Sequence, residues 1–317
     1  MNTTREKKAV RRVLCVGCAS VDIKAFSFQE DVQNAYREGT IDLVAGGVAR
    51  GMARNLKQLG FEVSIASVIG QDIFGEFLRK DLSGAGVNTE LLRTSKTSST
   101  ALFSVMAAKG AGSSCVYANG VLQEIAVDRD FTDFMEREKI DTVVLDSNVS
   151  PSVMERLYAL RAANARTRPL FIFQNATSPD IAKKSLPWAT QIDLFAANEF
   201  EAAAILGETA EPDEATADKF RALGFANCIL TFGERGVLVA LGNKTWIEPA
   251  YKPAVVVDTI GAGDAFAAGF LYGYLGEKPE KTCIRFGLAS ARETIATRDT
   301  VCSVLTAEYL EGFHLGD

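Results

Sequence analysis

The strongest constraint on this chain is the order of its apolar runs. "RVLCVG" (12–17) is continuously apolar after its first residue, as a strand covered on both faces requires. "VSIASVIG" (63–70), "TVVLD" (142–146), "LFIF" (170–173), "DLFAAN" (193–198), "CILTFG" (228–233) and "GVLVAL" (236–241) follow. Between them lie helical patterns. "GGVARGMARNLKQLG" (46–60) puts Val48, Met52, Leu56 and Leu59 on one stripe, with Arg50, Arg54, Lys57 and Gln58 off it and Gly60 closing the helix. Asp72 is placed to cap a helix carrying Phe74, Phe77 and Leu78, and Ser150-Pro151 opens another. "EFEAAAILG" (199–207) is a further helix, and "GERG" is a hairpin turn between the last two runs. The alternation predicts an α/β fold with a mainly parallel, doubly wound sheet.

Two β-rich pieces interrupt the rhythm. "STALFSVMAAKGAGSSCVYANG" (99–120) reads as a hairpin, and "VDIKAFSF" (21–28) with "IDLVAGG" (41–47) reads as an extended pair. They predict a small sheet beside the main one, within a single domain spanning 1–317.

Composition serves mainly to exclude. Hydrophobic residues make up 47% and charged residues 23%, enough for a packed core. The net charge of −6 argues against a nucleic-acid partner, since the one basic cluster, "REKKAVRR", reads as a solvated tail. No run approaches the roughly 18 apolar residues of a membrane span, and no secretory signal pattern opens the chain, so a cytoplasmic protein is expected. Cys15 and Cys18 form a C-x-x-C, but an offset of three in a strand places them on opposite faces. The single histidine, His314, leaves acid–base chemistry mainly to carboxylates, lysines and tyrosines. Walker-type, dinucleotide-binding and nucleophile-elbow motifs are missing.

"VVVDTIGAGDAFAAGF" (255–270) is the most informative stretch. Asp258 precedes a Gly261-Ala262-Gly263 turn, and Asp264 opens an almost wholly apolar helix in which Gly269 and Gly273 permit close packing. The first turn of a helix carries free N–H groups and partial positive charge, and glycines let a phosphate approach them. A carboxylate there can take a proton from a hydroxyl beside that phosphate. The plainer alternative makes Asp264 an N-cap and the glycines ordinary turn residues.

"DTIGAGDAFAAGF" resembles the signature of the ribokinase-like PfkB family of sugar and nucleoside kinases. Further blocks match in order: "GCASVD" (17–22), the di-glycine at 46–47, "GQDIFG" (70–75), "NEFE" (198–201) and "TFGERG" (231–236). The resemblance implies a three-layer α/β/α sandwich with a β-sheet lid formed by about 21–45 and 99–120, shared in homodimers of some members. It implies ATP and Mg²⁺. Asp264 is then the base, and Gly261, Ala262 and Gly263 the anion hole. Asp22, Gly46 and Gly47 hold substrate hydroxyls. Asn198 and Glu201 organise Mg²⁺ through water, and Thr231, Gly233 and Gly236 line the nucleotide. Asp258 and Ile260 stand where some members hold a monovalent cation such as K⁺. Asn198 and Glu201 also read as a helix capping box, and 231–236 as a plain hairpin turn; these readings stay open beside the family roles.

"GGVARGMARNLKQLG" and "VVLDSNVS" resemble the pseudouridine kinase branch, which implies pseudouridine as acceptor with Asn148 facing it. The chain departs from that pattern at Gly51, where an Asn is expected, at Gln174 and Asn175, and at Ala196-Ala197. Ribose and other nucleosides are the next acceptors in order. A rival of another class is a non-catalytic sugar or nucleoside sensor, and a nicotinamide-dependent dehydrogenase is disfavoured by the missing fingerprint.

Overall fold

The computed structural model describes residues 11–29, 36–108, 113–166 and 168–313. Most of the basic N-terminal cluster, the hairpin turn at 109–112 and His314 lie outside them. The chain begins with β1 (Arg12–Val16), β2 (Ser20–Ser27), β3 (Gly39–Gly46), α1 (Val48–Gln58), β4 (Glu62–Gly70), α2 (Ile73–Gly84) and β5 (Leu92–Ser95). It continues with β6 (Ala101–Ala108), β7 (Ser113–Ala118), α3 (Arg129–Arg137), β8 (Thr142–Asp146), α4 (Pro151–Asn164), β9 (Phe171–Asn175), β10 (Leu194–Asn198) and α5 (Glu199–Leu206). The last part is α6 (Glu214–Ala222), β11 (Asn227–Thr231), β12 (Val237–Leu241), β13 (Lys244–Glu248), α7 (Ala262–Leu275), α8 (Glu280–Ile295) and α9 (Ala307–Gly312).

Nine strands form the main sheet in the order β13-β12-β11-β10-β9-β8-β1-β4-β5, parallel from β5 to β11 and antiparallel at β12 and β13. From β1 the chain runs outward through β4 to β5, then returns to β8 on the other side of β1. That reversal opens a crevice at the carboxyl ends of β1 and β8, where open α/β sheets bind ligands.

Alternation along β1 explains its unbroken apolar sequence. Val13 and Cys15 point into a core with α1, α7 and α8, through Met52, Phe270 and Phe286. Leu14 and Val16 point into a second core with α3 and α4, through Phe131, Phe134, Leu157 and Tyr158. Each such side chain, fully buried, contributes roughly 1.5–3 kcal/mol. Cys15 and Cys18 are free thiols assigned to opposite cores, so they form no redox pair. Cys115 departs from the buried pattern and is exposed on β7.

The two β-rich pieces fuse into one small sheet, β3-β2-β6-β7, in which β2 pairs with β6 in parallel and the other neighbours are antiparallel. Asp72 caps α2 by accepting from Gly75 N, as its position suggested. Ser150 opens α4 without a side-chain cap bond. Arg50, off the apolar stripe of α1, is nevertheless buried: its guanidinium pairs with Asp81 and donates to Ala45 O (3.0 Å) and Thr300 Oγ1 (2.9 Å). Among the described residues no helix is long and apolar enough to cross a membrane.

Candidate active site

A cavity of about 550 Å³ lies along the carboxyl edge of the main sheet. Its floor is set by residues at or just beyond strand ends: Cys18, Asn148, Asn175, Asn198 and Thr231. The small sheet covers it with Asp22 and Phe103, and the start of α7 enters from the side. Of the residues singled out in the sequence, Asp22, Gly47, Gly51, Asn148, Asn198, Glu201, Thr231, Ile260, Gly261, Gly263 and Asp264 all line this space. Gly46, Ala262, Gly233, Gly236 and Asp258 do not: Gly46 packs against the Asp22 carboxylate, and Gly233 and Gly236 belong to the turn from β11 to β12.

The N-cap of α7 is Gly261, with φ +89°, and it makes no side-chain cap bond. This corrects the alternative that made Asp264 the cap. A side chain at 261 would be strained and would place its Cβ 2.4 Å from Thr300 O. Asp264 therefore stands in the first helical turn rather than before it. No described residue donates a hydrogen bond to its carboxylate, and the N–H groups of Gly261, Gly263 and Asp264 find no acceptor among the described residues. Unused donors, the positive helix end and an unpartnered carboxylate thus share one cavity wall. The Asp264 carboxyl is pushed well above the ordinary range by burial, then by Asp146, Glu201 and Asp22, with Arg50 opposing. Its neighbours thus make this carboxyl bind a proton more tightly than an exposed one does.

Asp22, on β2, is 4% exposed and receives Ser20 Oγ at 3.2 Å. Burial pushes its carboxyl up to about 6, against Ser20, Lys24 and Arg50, which lower it. Asp146 was not singled out in the sequence beyond its strand. It is wholly buried at the end of β8 and accepts from Cys18 N (2.6 Å), Ala49 N (3.2 Å) and Asn148 N (2.9 Å). One carboxylate thereby ties together the loop after β1, the start of α1 and the turn carrying Asn148. Asn148 Oδ1 in turn accepts from Asn119 Nδ2 (3.3 Å), just beyond the end of β7.

Asn198 and Glu201 form a complete capping box on α5. Asn198 Oδ1 accepts from Phe200 N and Glu201 N, and Glu201 Oε2 accepts from Asn198 N at 2.8 Å. Burial raises Glu201 to about 7, although Asn198 lowers it. The residue also lines the cavity. Among the described residues no cluster of three His, Cys, Asp or Glu could bind a metal directly. A single carboxylate lining the cavity fits Mg²⁺ held through water, which that ion prefers. Asp258 is different. Its Oδ1 accepts from Ile260 N (2.9 Å) and its Oδ2 from Lys24 Nζ (2.5 Å), so this carboxylate is already engaged by a cationic side chain.

The fold is that of ribokinase-like kinases. The solved structure of Arabidopsis thaliana ribokinase, complexed with ribose and ATP, superposes with a TM-score of 0.80 over 96% of this chain and 100% of that one, at 22% identity. Ribokinase from Haemophilus influenzae is 27% identical over 269 residues, 83% of this chain and 85% of its own. Pseudouridine kinase from Escherichia coli is 25% identical over 283 residues, 86% and 87% of the two chains. Residues 10–307 match the pfkB family of carbohydrate kinases, and the chain belongs to that family. It is a phosphotransferase with an alcohol group as acceptor.

Proposed function

We propose that this kinase transfers the γ-phosphoryl group of ATP to the primary hydroxyl of a ribosyl compound, with pseudouridine, giving its 5′-phosphate, as the first acceptor. The observation that carries the reading is the pairing of an unpartnered Asp264 with free N–H groups of the Gly261–Gly263 turn on one cavity wall. Asp264 accepts the proton of the acceptor hydroxyl as its oxygen bonds to the γ-phosphorus. The bond from phosphorus to the β–γ bridging oxygen breaks, and ADP leaves. The turn stabilises charge on the transferring group through donors that need no reorganisation. Glu201 would hold Mg²⁺ through water, and the ion would supply charge neutralisation at the phosphates.

Asp22 accepts from neighbouring sugar hydroxyls, as a carboxylate with two oxygens can. Asn148, fixed by Asp146 and Asn119, presents its amide toward the base or sugar. Asn198 and Thr231 flank the nucleotide, with Gly233 and Gly236 shaping the adjacent turn. The whole chain acts as one kinase unit, and the small sheet closes over the acceptor to exclude water. Its outer face exposes Ile41, Leu43, Met106 and Val116, which suits homodimer formation through the lid. ATP as donor is in keeping with a cytoplasmic location.

Similarity to ribokinase keeps ribose as the second acceptor. ADP release measured across pseudouridine, uridine, cytidine, adenosine, ribose and fructose decides between them. The highest kcat/KM is expected with pseudouridine. Preference for ribose or fructose overturns the nucleoside assignment, and ligand-induced thermal stabilisation without turnover of any acceptor overturns the mechanism.

A further inference from the structure

The Lys24 ammonium sits in an unusual place for a lid residue. It lies on β2, two positions from Asp22 and so on the same strand face. Its Nζ donates to Asp258 Oδ2 (2.5 Å) and to Arg298 O (3.3 Å). The Lys24 side chain is 13% exposed and that of Asp258 21%, so the pair is largely shielded from water and salt. Asp258 leads directly into the anion turn. Its other oxygen fixes Ile260 N, and the N–H groups of Val257 and Asp258 both reach Ile295 O (2.9 and 3.2 Å). The segment from Ile295 to Thr300 then packs beneath Gly261 through Thr300 O. Lys24 thus bridges a carboxylate before the turn and a carbonyl from the segment that supports it.

A carboxylate oxygen and a peptide carbonyl are the ligands a hard monovalent cation takes. We propose that the Lys24 ammonium is a tethered replacement for such a cation. It holds the Asp258–Gly261 segment in its anion-binding shape, makes the kinase independent of K⁺, and couples that shape to the position of the lid strand carrying Asp22. The residues at Asp258 and Ile260 therefore do not fit a resident monovalent ion. Lys24 is a positioning residue: it acts on the phosphate through the turn. The inference rests on the phosphotransferase reading, but binding tests it separately from turnover.

The test uses the full chain in buffers made with tetramethylammonium, a cation too large for the site, at constant ionic strength. Two quantities are read with and without about 100 mM K⁺: the rate of ADP release with the best acceptor, and the calorimetric Kd of a non-hydrolysable ATP analogue. The wild type is expected to give the same values in both buffers. Lys24→Met is expected to bind the analogue about tenfold more weakly without K⁺ and to recover with K⁺ or ammonium. Lys24→Arg, which keeps the charge, is expected to remain indifferent to K⁺ and serves if the Met variant folds poorly. K⁺ activation or K⁺-strengthened analogue binding in the wild type overturns the proposal. So does a folded Lys24→Met variant that binds as tightly as wild type without K⁺. The calorimetric arm reads the cation effect even if no acceptor in the panel is turned over.

Discussion

Gly51 and Asp264 face each other so closely that a Cβ on Gly51 would lie 2.8 Å from Asp264 Oδ2, and the three atoms nearest that Cβ all belong to Asp264. The position where the resemblance implies Asn is here the space into which the Asp264 carboxylate projects. Gly51→Ala removes a helix-interior glycine, which alone favours α1 by about 1 kcal/mol. It also pushes the carboxylate aside. The variant is expected to melt no lower than wild type and to lose about tenfold in kcat/KM, because small misplacements of a reacting group are costly. Equal or higher activity would show that Gly51 leaves room for something other than the base.

Glu201 carries a stability cost that titration exposes. Its folded-state pKa of about 7 exceeds the ordinary 4.5, so the folded protein binds the proton more tightly than the unfolded chain. Stability from this group therefore falls as pH rises from about 4.5 to about 7 and is flat above, with a ceiling of about 3 kcal/mol. Glu201→Gln keeps the cap acceptor and removes the charge. Melting curves are expected to show the variant gaining on wild type through that window, with no gap below it. If Glu201 holds Mg²⁺ as proposed, turnover is expected to fall at least tenfold and to need more Mg²⁺ for its half-maximal rate. A gap that stays constant with pH contradicts the assignment.

Asp146 has three backbone N–H donors on its two oxygens, so an amide there must turn its NH₂ toward at least one of them. Asp146→Asn is expected to cost about 1–3 kcal/mol of stability by chemical denaturation. Because Asn148 hangs from the same carboxylate, acceptor KM is expected to rise more than nucleotide KM. Equal rises in both would reduce Asp146 to a purely structural role.

What could be read from sequence follows from chemistry that is local along the chain. The buried strands announced themselves because both faces are apolar, as Val13 to Val16 show. The edge strands β5, "LRTS", and β13, "KTWIE", did not, since an edge needs only partial burial. Helices α6 and α8 were passed over, although Asp213 caps the first by accepting from Thr216 N. In the site, Asp264 and its turn were legible because donors and carboxylate are contiguous. Asp146 and Lys24 were not. The donors to Asp146 come from up to 128 residues away, and Lys24 meets Asp258 across 234. Arg50 looked solvated on its helix stripe because Asp81, its partner, belongs to another helix. The capping box at Asn198 and Glu201 was legible and is real, and Glu201 also lines the cavity.

The base assignment is tested most directly by Asp264→Asn. Steady-state ADP release with a saturating acceptor should fall by about 10²–10⁴-fold, while calorimetric binding of a non-hydrolysable ATP analogue stays within about threefold of wild type. Near-normal turnover in a folded, nucleotide-binding variant would contradict the role of Asp264 in taking the proton.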